Sequence, residues 1–302
     1  MNPVLIGLDW GTTNVRAALL AKDGTVLEER QDRSGVGEFS EQQYLSHFNK
    51  LTAEWPDVRA LAAGMVGSRQ GWVEADYLPC PSRPADLAAG LTNVPLTERT
   101  LAIVPGIKMA GPTRFDVMRG EETQIAGLLA ERSDQSGTVI MPGSHSKWVE
   151  LCDGGIESFG TYLSGELFSA LSQHTILRHS LGGEINLQAF DAKCAELASG
   201  TKSIEGQLFA LRARDLLAGA DREALLSELS ALVIMGELRA GQRDGYGLAN
   251  NVNVIGTGSL VDLYRRALNA LDLEAQILDG TALVWPALLD IASKTSWLEE
   301  PA

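Results

Sequence analysis

Hydrophobic and polar positions follow two periods along the chain, and these periods predict its elements. Near residue 5, the runs VLIGLDWG, NVRAALLA and TVLEER predict three strands, the last two joined by a hairpin turn at Lys22-Asp23-Gly24. Near residue 138, the run TVIMPGSHSKWVELCDGGIESFGTYLSGEL repeats this plan, with its third strand expected to reach Ser164. The repetition of strand, turn and hairpin predicts a duplicated architecture.

Helical periodicity marks most of the remaining chain. One helix is predicted from Glu41 to Trp55 and another from Gly120 to Ala130, because their apolar residues recur on one face. The core-facing residues expected in the first helix are Tyr44, Leu45, Phe48, Leu51 and Trp55. The stretch 73–112 is rich in proline and short strands, and it is expected to form loops and an edge of the sheet. Beyond Leu167 the chain is expected to be mostly helical, and Ser259 is expected to cap a helix after the strand NVNVIG.

Composition and charge narrow the class of protein. The chain has 302 residues, 45% of them hydrophobic and 21% charged, which is typical of a globular protein with an ample core. No apolar run reaches the roughly 18 residues of a membrane helix, and the start MNPVLIGLDWG lacks the pattern of a signal peptide. The formal net charge of −14 argues against nucleic acid and anionic membranes as partners. We therefore expect a cytoplasmic protein.

Cysteine and histidine spacing argues against disulfides and structural zinc. The three cysteines, Cys80, Cys152 and Cys194, are odd in number and far apart, which is typical of a reducing compartment. The four histidines lack the spacing of metal ligands.

Three glycine-containing turns after buried strands are the candidate phosphate-binding segments. Glycine lets backbone N–H groups approach a phosphate closely, and nearby hydroxyls donate further hydrogen bonds. Asp9 ends its strand, where a carboxylate can hold Mg²⁺ through water. The sequence contains neither a P-loop nor a three-glycine dinucleotide motif, and plain turns stay an alternative for each segment. The three segments are Asp9-Trp10-Gly11-Thr12-Thr13-Asn14, Pro142-Gly143-Ser144-His145-Ser146-Lys147 and Gly256-Thr257-Gly258-Ser259-Leu260.

Two adjacent carboxylates open the helix predicted at residue 120. The segment MRGEETQ places Glu121 and Glu122 beside Arg119. One interpretation is a general base that accepts the proton of a hydroxyl nucleophile. The other is ordinary helix-start chemistry, because acidic residues are favoured in the first turn.

These motifs, in this order, resemble those of the sugar kinase, actin and heat-shock ATPase superfamily. WGTTN resembles its first phosphate loop, PGSHSKW its second and IGTGSL its adenosine loop. Nearly the whole chain is similar to the 2-dehydro-3-deoxygalactonokinase family, through DWGTTNVRA, AGMVGSRQGW, VMRGEETQ, IMPGSHSKW and SGEL. The resemblance implies an α/β fold of two ribonuclease-H-like lobes, each a mixed five-stranded sheet with helices, and an active site in the interlobe cleft. It assigns residues 1–115 to the N-terminal lobe and residues 116–302 to the C-terminal lobe.

The resemblance also implies a reaction and the residues that bind the nucleotide. Such kinases transfer the γ-phosphoryl group of Mg-ATP to the 6-hydroxyl of 2-dehydro-3-deoxy-D-galactonate in galactonate catabolism. Asp9 would hold Mg²⁺ through water. The residues expected to contact the phosphates and adenosine of ATP are Gly11, Thr12, Thr13, Asn14, Gly143, Ser144, His145, Gly256, Thr257 and Gly258.

The acceptor side of the site rests on the same resemblance. Glu122 takes the place of an aspartate base in related sugar kinases and is the expected base, with Glu121 as the other candidate. Arg119 is expected to meet the substrate carboxylate or the transition state. The residues expected around the substrate are Gly64, Met65, Val66, Gly67, Ser68, Trp72 and Arg119. The structural alternatives are that Arg119 pairs with a glutamate and that Trp72 belongs to the core.

Three other functions stay open at this point. A kinase of the same superfamily could act on another sugar or a polyol, because the fold constrains ATP binding better than the acceptor. An actin-like ATPase or a sugar-sensing binding protein would share the fold without metabolic turnover. The third is an α/β protein in which the glycine turns arose by chance. The expected partners are a sugar acid and Mg-ATP, and self-association into a homo-oligomer is left open.

Overall fold

The protein is described by a computed structural model that covers residues 2–36, 39–96, 99–112, 114–200, 203–248 and 252–298. Contacts divide the chain into two compact units. Unit 1 comprises Met1–Ser136, Leu151–Phe159 and Gly280–Ala302, and unit 2 comprises Gly137–Glu150 and Gly160–Asp279.

Strands and helices alternate along the chain. The strands are β1 (Pro3–Trp10), β2 (Val15–Ala21), β3 (Val26–Asp32), β4 (Ala60–Ala63), β5 (Tyr77–Pro79), β6 (Thr92–Val94), β7 (Leu101–Ile103), β8 (Gly106–Ala110), β9 (Phe115–Met118), β10 (Gly137–Met141), β11 (Ser146–Cys152), β12 (Gly155–Tyr162), β13 (Val252–Gly256) and β14 (Ala275–Asp279). The helices are α1 (Glu41–Leu51), α2 (Pro84–Ala89), α3 (Glu121–Glu131), α4 (Ser164–His174), α5 (Leu187–Ser199), α6 (Glu205–Ala218), α7 (Arg222–Arg243), α8 (Gly258–Asn269) and α9 (Gly280–Ser293).

The first sheet has the strand order β3-β2-β1-β4-β7-β6. Its central strand β1 is buried on both faces, because Ile6 and Leu8 pack in a cluster with α1, whereas Gly7 lies against Trp285 of α9. Burial on both faces explains why β1 is a continuous apolar run rather than an alternating one. β1 pairs antiparallel with β2 and parallel with β4, so the ends of β1 and β4 lie at one edge of the sheet.

The second sheet has the order β12-β11-β10-β13-β14, and it repeats the plan of the first. In each sheet the first strand in the chain pairs parallel with a second strand, which in turn pairs parallel with a third. These strands are β1, β4 and β7 in the first sheet and β10, β13 and β14 in the second. This repetition confirms the duplicated α/β architecture. The first sheet has six strands rather than the expected five, because β6 adds an antiparallel edge beside β7.

Unit 2 is built around the long helix α7. Its side chains Leu225, Leu229, Leu232 and Leu238 are buried in one cluster with α5, α8 and the strands. The aromatic ring of Trp148 on β11 lies against Gly241, where a Cβ atom would be only 2.3 Å from the ring. The apolar face of α7 therefore forms the core of this unit.

The contact-based units differ from the predicted lobes in three segments. Residues 116–136, 151–159 and 280–302, expected in the C-terminal lobe, belong to unit 1. The helices α3 and α9 pack closely there, and a Cβ atom on Gly127 would lie 2.0 Å from the carbonyl oxygen of Leu283. Hydrophobic periodicity predicts that each of these helices has a buried face, but it does not identify the partner of that face.

Local expectations also differ from the structure in several places. The first helix ends at Leu51, so Trp55 lies beyond it although it is buried, and Leu45 is exposed rather than in the core. Thr257, not Ser259, occupies the N-cap of α8. The third strand of the second hairpin ends at Tyr162, because Ser164 already begins α4. The stretch 73–112 contains the expected short strands and loops and, in addition, the helix α2.

Candidate active site

The first glycine turn follows β1 and lines a cavity in unit 1. The N–H of Gly11 donates to the carbonyl oxygen of Asn14 at 2.9 Å, which closes the turn. A Cβ atom on Gly11 would contact only that oxygen, at 3.6 Å, so packing alone does not require glycine here. The cavity has a volume of about 690 Å³. Its lining residues are Asp9, Gly11, Thr12, Thr13, Asn14, Arg16, Gln31, Asp32, Arg33 and Thr281.

Residues 34–36 pack against this turn and hydrogen-bond to its backbone. A Cβ atom on Gly35 would lie 1.7 Å from the carbonyl oxygen of Thr12 and 2.4 Å from the nitrogen of Thr13, so only glycine fits. The N–H of Val36 donates to the carbonyl oxygen of Gly11 at 3.1 Å, and the indole N–H of Trp10 donates to the carbonyl oxygen of Ser34. No pattern in the sequence indicates this support, because it depends on a contact between distant segments.

Asp9 is paired with Arg16, which lies in the same motif but was not among the predicted site residues. The Arg16 Nη2 donates to Asp9 Oδ2 at 2.8 Å, which the antiparallel register of β1 and β2 makes possible by placing these residues opposite each other. The guanidinium also lies 5.0 Å from the ring centre of Trp285 and donates to the carbonyl oxygen of Thr281. These contacts fix the orientation of the Asp9 carboxylate at the cavity wall.

The expected acceptor segment begins where β4 ends, close to the first glycine turn. Gly64 has a positive φ of 92°, and the short 3-10 turn Met65–Gly67 follows it. A Cβ atom on Gly64 would lie 2.8 Å from the carbonyl oxygen of Trp10, and one on Gly120 would lie 3.5 Å from the Cα of Gly64. The ends of β1 and β4 and the start of α3 therefore meet within unit 1.

Arg119 is buried beside this segment, with one nitrogen unpaired. It is 8% exposed, its Nη2 donates to the carbonyl oxygen of Ala75 at 2.6 Å, and its guanidinium stacks 4.3 Å from the ring centre of Tyr77. Within the described residues, its Nη1 and the hydroxyl of Ser68, which is 5% exposed, have no hydrogen-bond partner. A Cβ atom on Gly67 would lie 2.8 Å from Nη1. Two buried polar groups without partners are costly unless a ligand satisfies them.

Trp72, expected near the substrate, is part of an aromatic cluster in the core. Its ring stacks on Tyr44 with 5.8 Å between centroids and also contacts Trp10 and Phe48. The side chain is buried and belongs to the hydrophobic cluster of unit 1. The structural alternative given above for this residue therefore describes its position.

The two adjacent glutamates have different surroundings. Glu122 is fully buried, and its carboxyl accepts from the N–H of Gly120 at 2.7 Å and from the Thr123 hydroxyl at 2.9 Å. Burial, and secondly the charge of Glu121, raise the pKa of Glu122 to about 8. The carboxyl of Glu121 is partly exposed and accepts from the N–H of Arg119 at 3.0 Å. A general base must reach the substrate hydroxyl, and in this structure the carboxyl of Glu121 is the more exposed of the two.

The second glycine turn lies between β10 and β11 and packs against the start of α4. The N–H of Gly143 approaches Ser146 Oγ at 3.3 Å, and the N–H of Glu166 donates to the carbonyl oxygen of Ser144 at 3.1 Å. A Cβ atom on Gly165 would lie 2.5 Å from the carbonyl oxygen of Gly143. The His145 ring and the Glu166 carboxylate are 2.8 Å apart. The SGEL segment therefore shapes this turn, a role that its sequence alone did not reveal.

The third glycine turn connects β13 to α8 and lies beside the second. The parallel pairing of β10 and β13 brings both turns to the same edge of the second sheet, and a Cβ atom on Gly256 would lie 4.0 Å from Pro142. Gly258 has a positive φ of 73° and begins α8. Next to it is a cavity of about 310 Å³. Its lining residues are Gly256, Thr257, Gly258, Val261, Asp262, Arg265, Ile277 and Asp279.

The described part of the chain shows neither a membrane-spanning helix nor a cluster of metal ligands. None of its helices is both long enough and apolar enough to cross a membrane. Nowhere in the same residues do three or more histidine, cysteine, aspartate or glutamate side chains gather in an arrangement that could hold a metal ion.

Comparisons with known proteins agree on one family. Residues 9–291 match the family described as 2-keto-3-deoxy-galactonokinase. A curated relative from Rhizobium meliloti (strain 1021), named "Probable 2-dehydro-3-deoxygalactonokinase DgoK1", is 35% identical over 298 residues, which cover 96% of this chain and 96% of the relative. The 2-dehydro-3-deoxygalactonokinase of Escherichia coli (strain K12) is 33% identical over 291 residues, covering 95% of this chain and 97% of the relative.

Solved structures give the same result at the level of the fold. A crystal structure from Sinorhizobium meliloti, provisionally described as a 2-dehydro-3-deoxygalactonokinase protein, superposes with a TM-score of 0.88 at 33% identity and covers 95% of this chain and 98% of that one. The activator of the 2-hydroxyisocaproyl-CoA dehydratase from Clostridium difficile, solved with bound ADPNP, has a TM-score of 0.53 at 14% identity and covers 96% of this chain and 95% of that one. At that identity the likeness concerns the fold alone.

Proposed function

The chain belongs to the 2-keto-3-deoxy-galactonokinase family, and from this membership we propose that it phosphorylates 2-dehydro-3-deoxy-D-galactonate with ATP. The γ-phosphoryl group is transferred to the 6-hydroxyl, which gives ADP, the 6-phosphate of the sugar acid and a proton, as a step of galactonate catabolism. The observation that carries the proposal is the family match over residues 9–291. That range includes all three glycine turns and the two adjacent glutamates.

The residues of unit 1 suit the terminal phosphates of the nucleotide. Phosphoryl transfer needs alignment and charge neutralisation more than covalent chemistry. The backbone of Gly11 and the hydroxyls of Thr12 and Thr13 line a cavity wide enough for a polyphosphate, and Asn14 closes their turn. We assign to these residues the contacts with the β- and γ-phosphates.

Asp9 is the residue that we assign to Mg²⁺. It lines the cavity and is oriented by Arg16, whereas the described residues contain no cluster of ligands that would enclose a metal. This donor set fits Mg²⁺, which is usually held by one or two carboxylates together with water and substrate phosphates. When bound, Mg²⁺ would neutralise charge on the phosphates that are being separated.

The acceptor side of unit 1 contains groups of the right charge for a sugar acid. We propose that Arg119 Nη1 and the Ser68 hydroxyl, both buried and without partners in the described residues, bind the substrate carboxylate. We also assign substrate contacts to the backbone of Gly64–Gly67, which packs so closely on Trp10 and Ile103 that a Cβ atom on Gly64 or Gly67 would clash. We assign the general base to Glu121 instead of the expected Glu122, because Glu121 is partly exposed at the start of α3.

In unit 2, the second and third glycine turns are assigned to the rest of the nucleotide. Gly143, Ser144 and His145 would contact the phosphates, and Gly256, Thr257 and Gly258 the adenosine. The N-terminus of α8 at Gly258 carries backbone N–H groups and a partial positive charge, which favour an anionic ligand.

We place the reaction in the cytoplasm. ATP is available there, and Cys80, Cys152 and Cys194 are all free thiols, as expected in a reducing compartment.

A coupled assay for ADP formation tests the proposed function. The acceptors are 2-dehydro-3-deoxy-D-galactonate, its gluconate epimer, hexoses, amino sugars and polyols, each with Mg-ATP. We expect the highest kcat/KM with the galactonate compound and little turnover with acceptors that lack a carboxylate. Equal or better turnover of a neutral sugar would overturn the proposed substrate, and ATP binding without any acceptor-stimulated turnover would overturn the kinase reaction.

A further inference from the structure

A buried carboxyl group, that of Glu237 on α7, is the centre of a hydrogen-bond network in unit 2. Its side chain is 4% exposed. The indole Nε1 of Trp148 donates to one carboxyl oxygen at 2.7 Å, and the hydroxyl of Tyr264 donates to the other at 2.5 Å. The hydroxyl of Ser146 lies 3.1 Å from that of Tyr264, and the hydroxyls of Ser146 and Ser164 also hydrogen-bond to the carboxyl group.

Three of these partners lie on segments that form, follow or pack against the turns assigned to the nucleotide. Ser146 belongs to the second glycine turn, and its Oγ lies 3.3 Å from the backbone nitrogen of Gly143. Ser164 begins α4, whose next residue, Gly165, packs directly on Gly143. Tyr264 lies on α8, which starts at the third glycine turn. One side chain on α7 therefore connects the second turn, the start of α4 and the helix that follows the third turn.

Packing alone does not account for a carboxyl group at this position. Burying a carboxyl group costs free energy, and an apolar side chain of similar volume usually stabilises a core as well or better. Burial raises the pKa of Glu237, while its hydrogen bonds act in the opposite direction. A carboxyl group can accept several hydrogen bonds at once, which fixes the relative positions of its donors more precisely than apolar contacts do.

We propose that Glu237 is a positioning residue for nucleotide binding, which holds the second glycine turn, the start of α4 and α8 in the arrangement that binds ATP. It acts through Ser146, Ser164 and Tyr264 and does not itself touch the nucleotide. The inference rests on the proposed kinase function and adds to it a residue outside every motif that carries the family resemblance.

The most direct test removes one hydroxyl from the network. Tyr264→Phe keeps the ring and its packing, so the protein is expected to fold. Because a lost hydrogen bond of ordinary strength changes an equilibrium constant by up to about tenfold, we expect the Kd of Mg-ADP, measured by calorimetry, to rise about three- to tenfold. The KM of ATP should rise in parallel, whereas the KM of the acceptor should change less than about twofold.

A matched control separates positioning from stability. Tyr162→Phe also removes a tyrosine hydroxyl in unit 2, one that donates to Asp244 at 2.6 Å and not to Glu237. Both variants are expected to lower the melting temperature, but only Tyr264→Phe should weaken Mg-ADP binding. Equal Kd values for the two variants would overturn the inference.

Substitutions of the carboxyl group itself give a second, independent test. We expect Glu237→Met to weaken Mg-ADP binding more than Glu237→Gln, because the amide keeps an acceptor for Trp148 or Tyr264. The control is Glu228→Met on the same helix, since Glu228 is also buried but pairs with Arg214 away from the turns. If Glu237→Met does not fold, Tyr264→Phe and Ser146→Ala decide the question.

The readouts distinguish failure of the inference from failure of the proposed function. Calorimetry with Mg-ADP needs no acceptor, so it reports on the turns even if the sugar acid is not the substrate. An unsubstituted protein that does not bind Mg-ADP would overturn both proposals. Normal binding in the protein and in all Glu237, Tyr264 and Ser146 variants would overturn only the positioning role.

Discussion

Glu121 and Glu122 are neighbours in sequence, but only one of their carboxyl groups is accessible to a substrate. The carboxyl of Glu122 is enclosed and bound to Gly120 and Thr123, whereas that of Glu121 is partly exposed. We expect Glu121→Gln to lower kcat at least about 100-fold, the usual contribution of a general base, and Glu122→Gln to lower it less than about tenfold. Steady-state kinetics at saturating ATP measure both values. The reverse order would return the role of base to Glu122.

The buried carboxyl of Glu122 should also affect how stability depends on pH. Burial raises its pKa from the usual 4.5 to about 8 in the folded protein. A carboxyl with a higher pKa in the folded state favours folding most when neutral, so this contribution is lost as the pH rises from about 5 to 8. We expect Glu122→Gln, which cannot ionise, to melt about 2–5 °C above the unsubstituted protein at pH 8 and close to it at pH 5. Melting curves that stay parallel across this range would contradict the assignment.

At the scale of an element, the segment 34–36 packs against the first glycine turn. A substitution there tests whether this backbone contact positions the phosphate site. A Cβ atom on Gly35 would lie 1.7 Å from the carbonyl oxygen of Thr12, so Gly35→Ala must displace the turn. We expect the KM of ATP to rise about tenfold or more, because small displacements of positioning groups are costly. Gly111→Ala is the control, since a Cβ atom there meets nothing within 4 Å. Unchanged kinetics in Gly35→Ala would show that the turn tolerates the displacement.

Elements with a strong period could be predicted from the sequence, and short elements in irregular segments could not. The strands β1, β2, β10 and β11 follow from apolar runs that end in glycine turns. The strands between residues 73 and 112 are three to five residues long, too short to show a period, so their bounds depend on how they pair, β5 with β8 and β6 with β7. Leu45 on α1 is exposed for a related reason. The elements that pack on α1 decide which part of its apolar face is covered, and the sequence of the helix does not identify them.

At the scale of the molecule, the sequence predicted the segments of the site better than their surroundings. The three glycine turns, Arg119 and the glutamate pair were identified from residue type and order. The burial that distinguishes Glu122 from Glu121, the packing of Arg119 against Ala75 and the place of Trp72 in an aromatic cluster depend on residues far apart in sequence. Periodicity contains no information about such contacts, so these properties required the folded structure.

The first strand and the last helix, β1 and α9, pack together in unit 1, and this contact predicts the effect of a truncation. Helix α9 packs on α3 and on β1. A chain that stops at residue 279 therefore lacks the helix that packs on this side of the first sheet. The large side chains lost from the core are Leu283, Val284, Trp285, Leu288 and Ile291. At about 2 kcal/mol each they represent on the order of 10 kcal/mol, comparable with the whole stability of a typical domain.

We therefore expect the chain ending at residue 279 to be insoluble or to lack a cooperative thermal transition for unit 1, and to lose the binding of Mg-ADP. A chain ending at residue 295 is the control, because it keeps α9 and removes the contacts of Arg59 with Ser296 and Trp297. It should unfold cooperatively, a few degrees below the full chain. If the shorter chain bound Mg-ADP as tightly as the control, α9 would not be needed to hold the first glycine turn and Asp9 in place, and the assignment of the phosphate site to unit 1 would have to be revised.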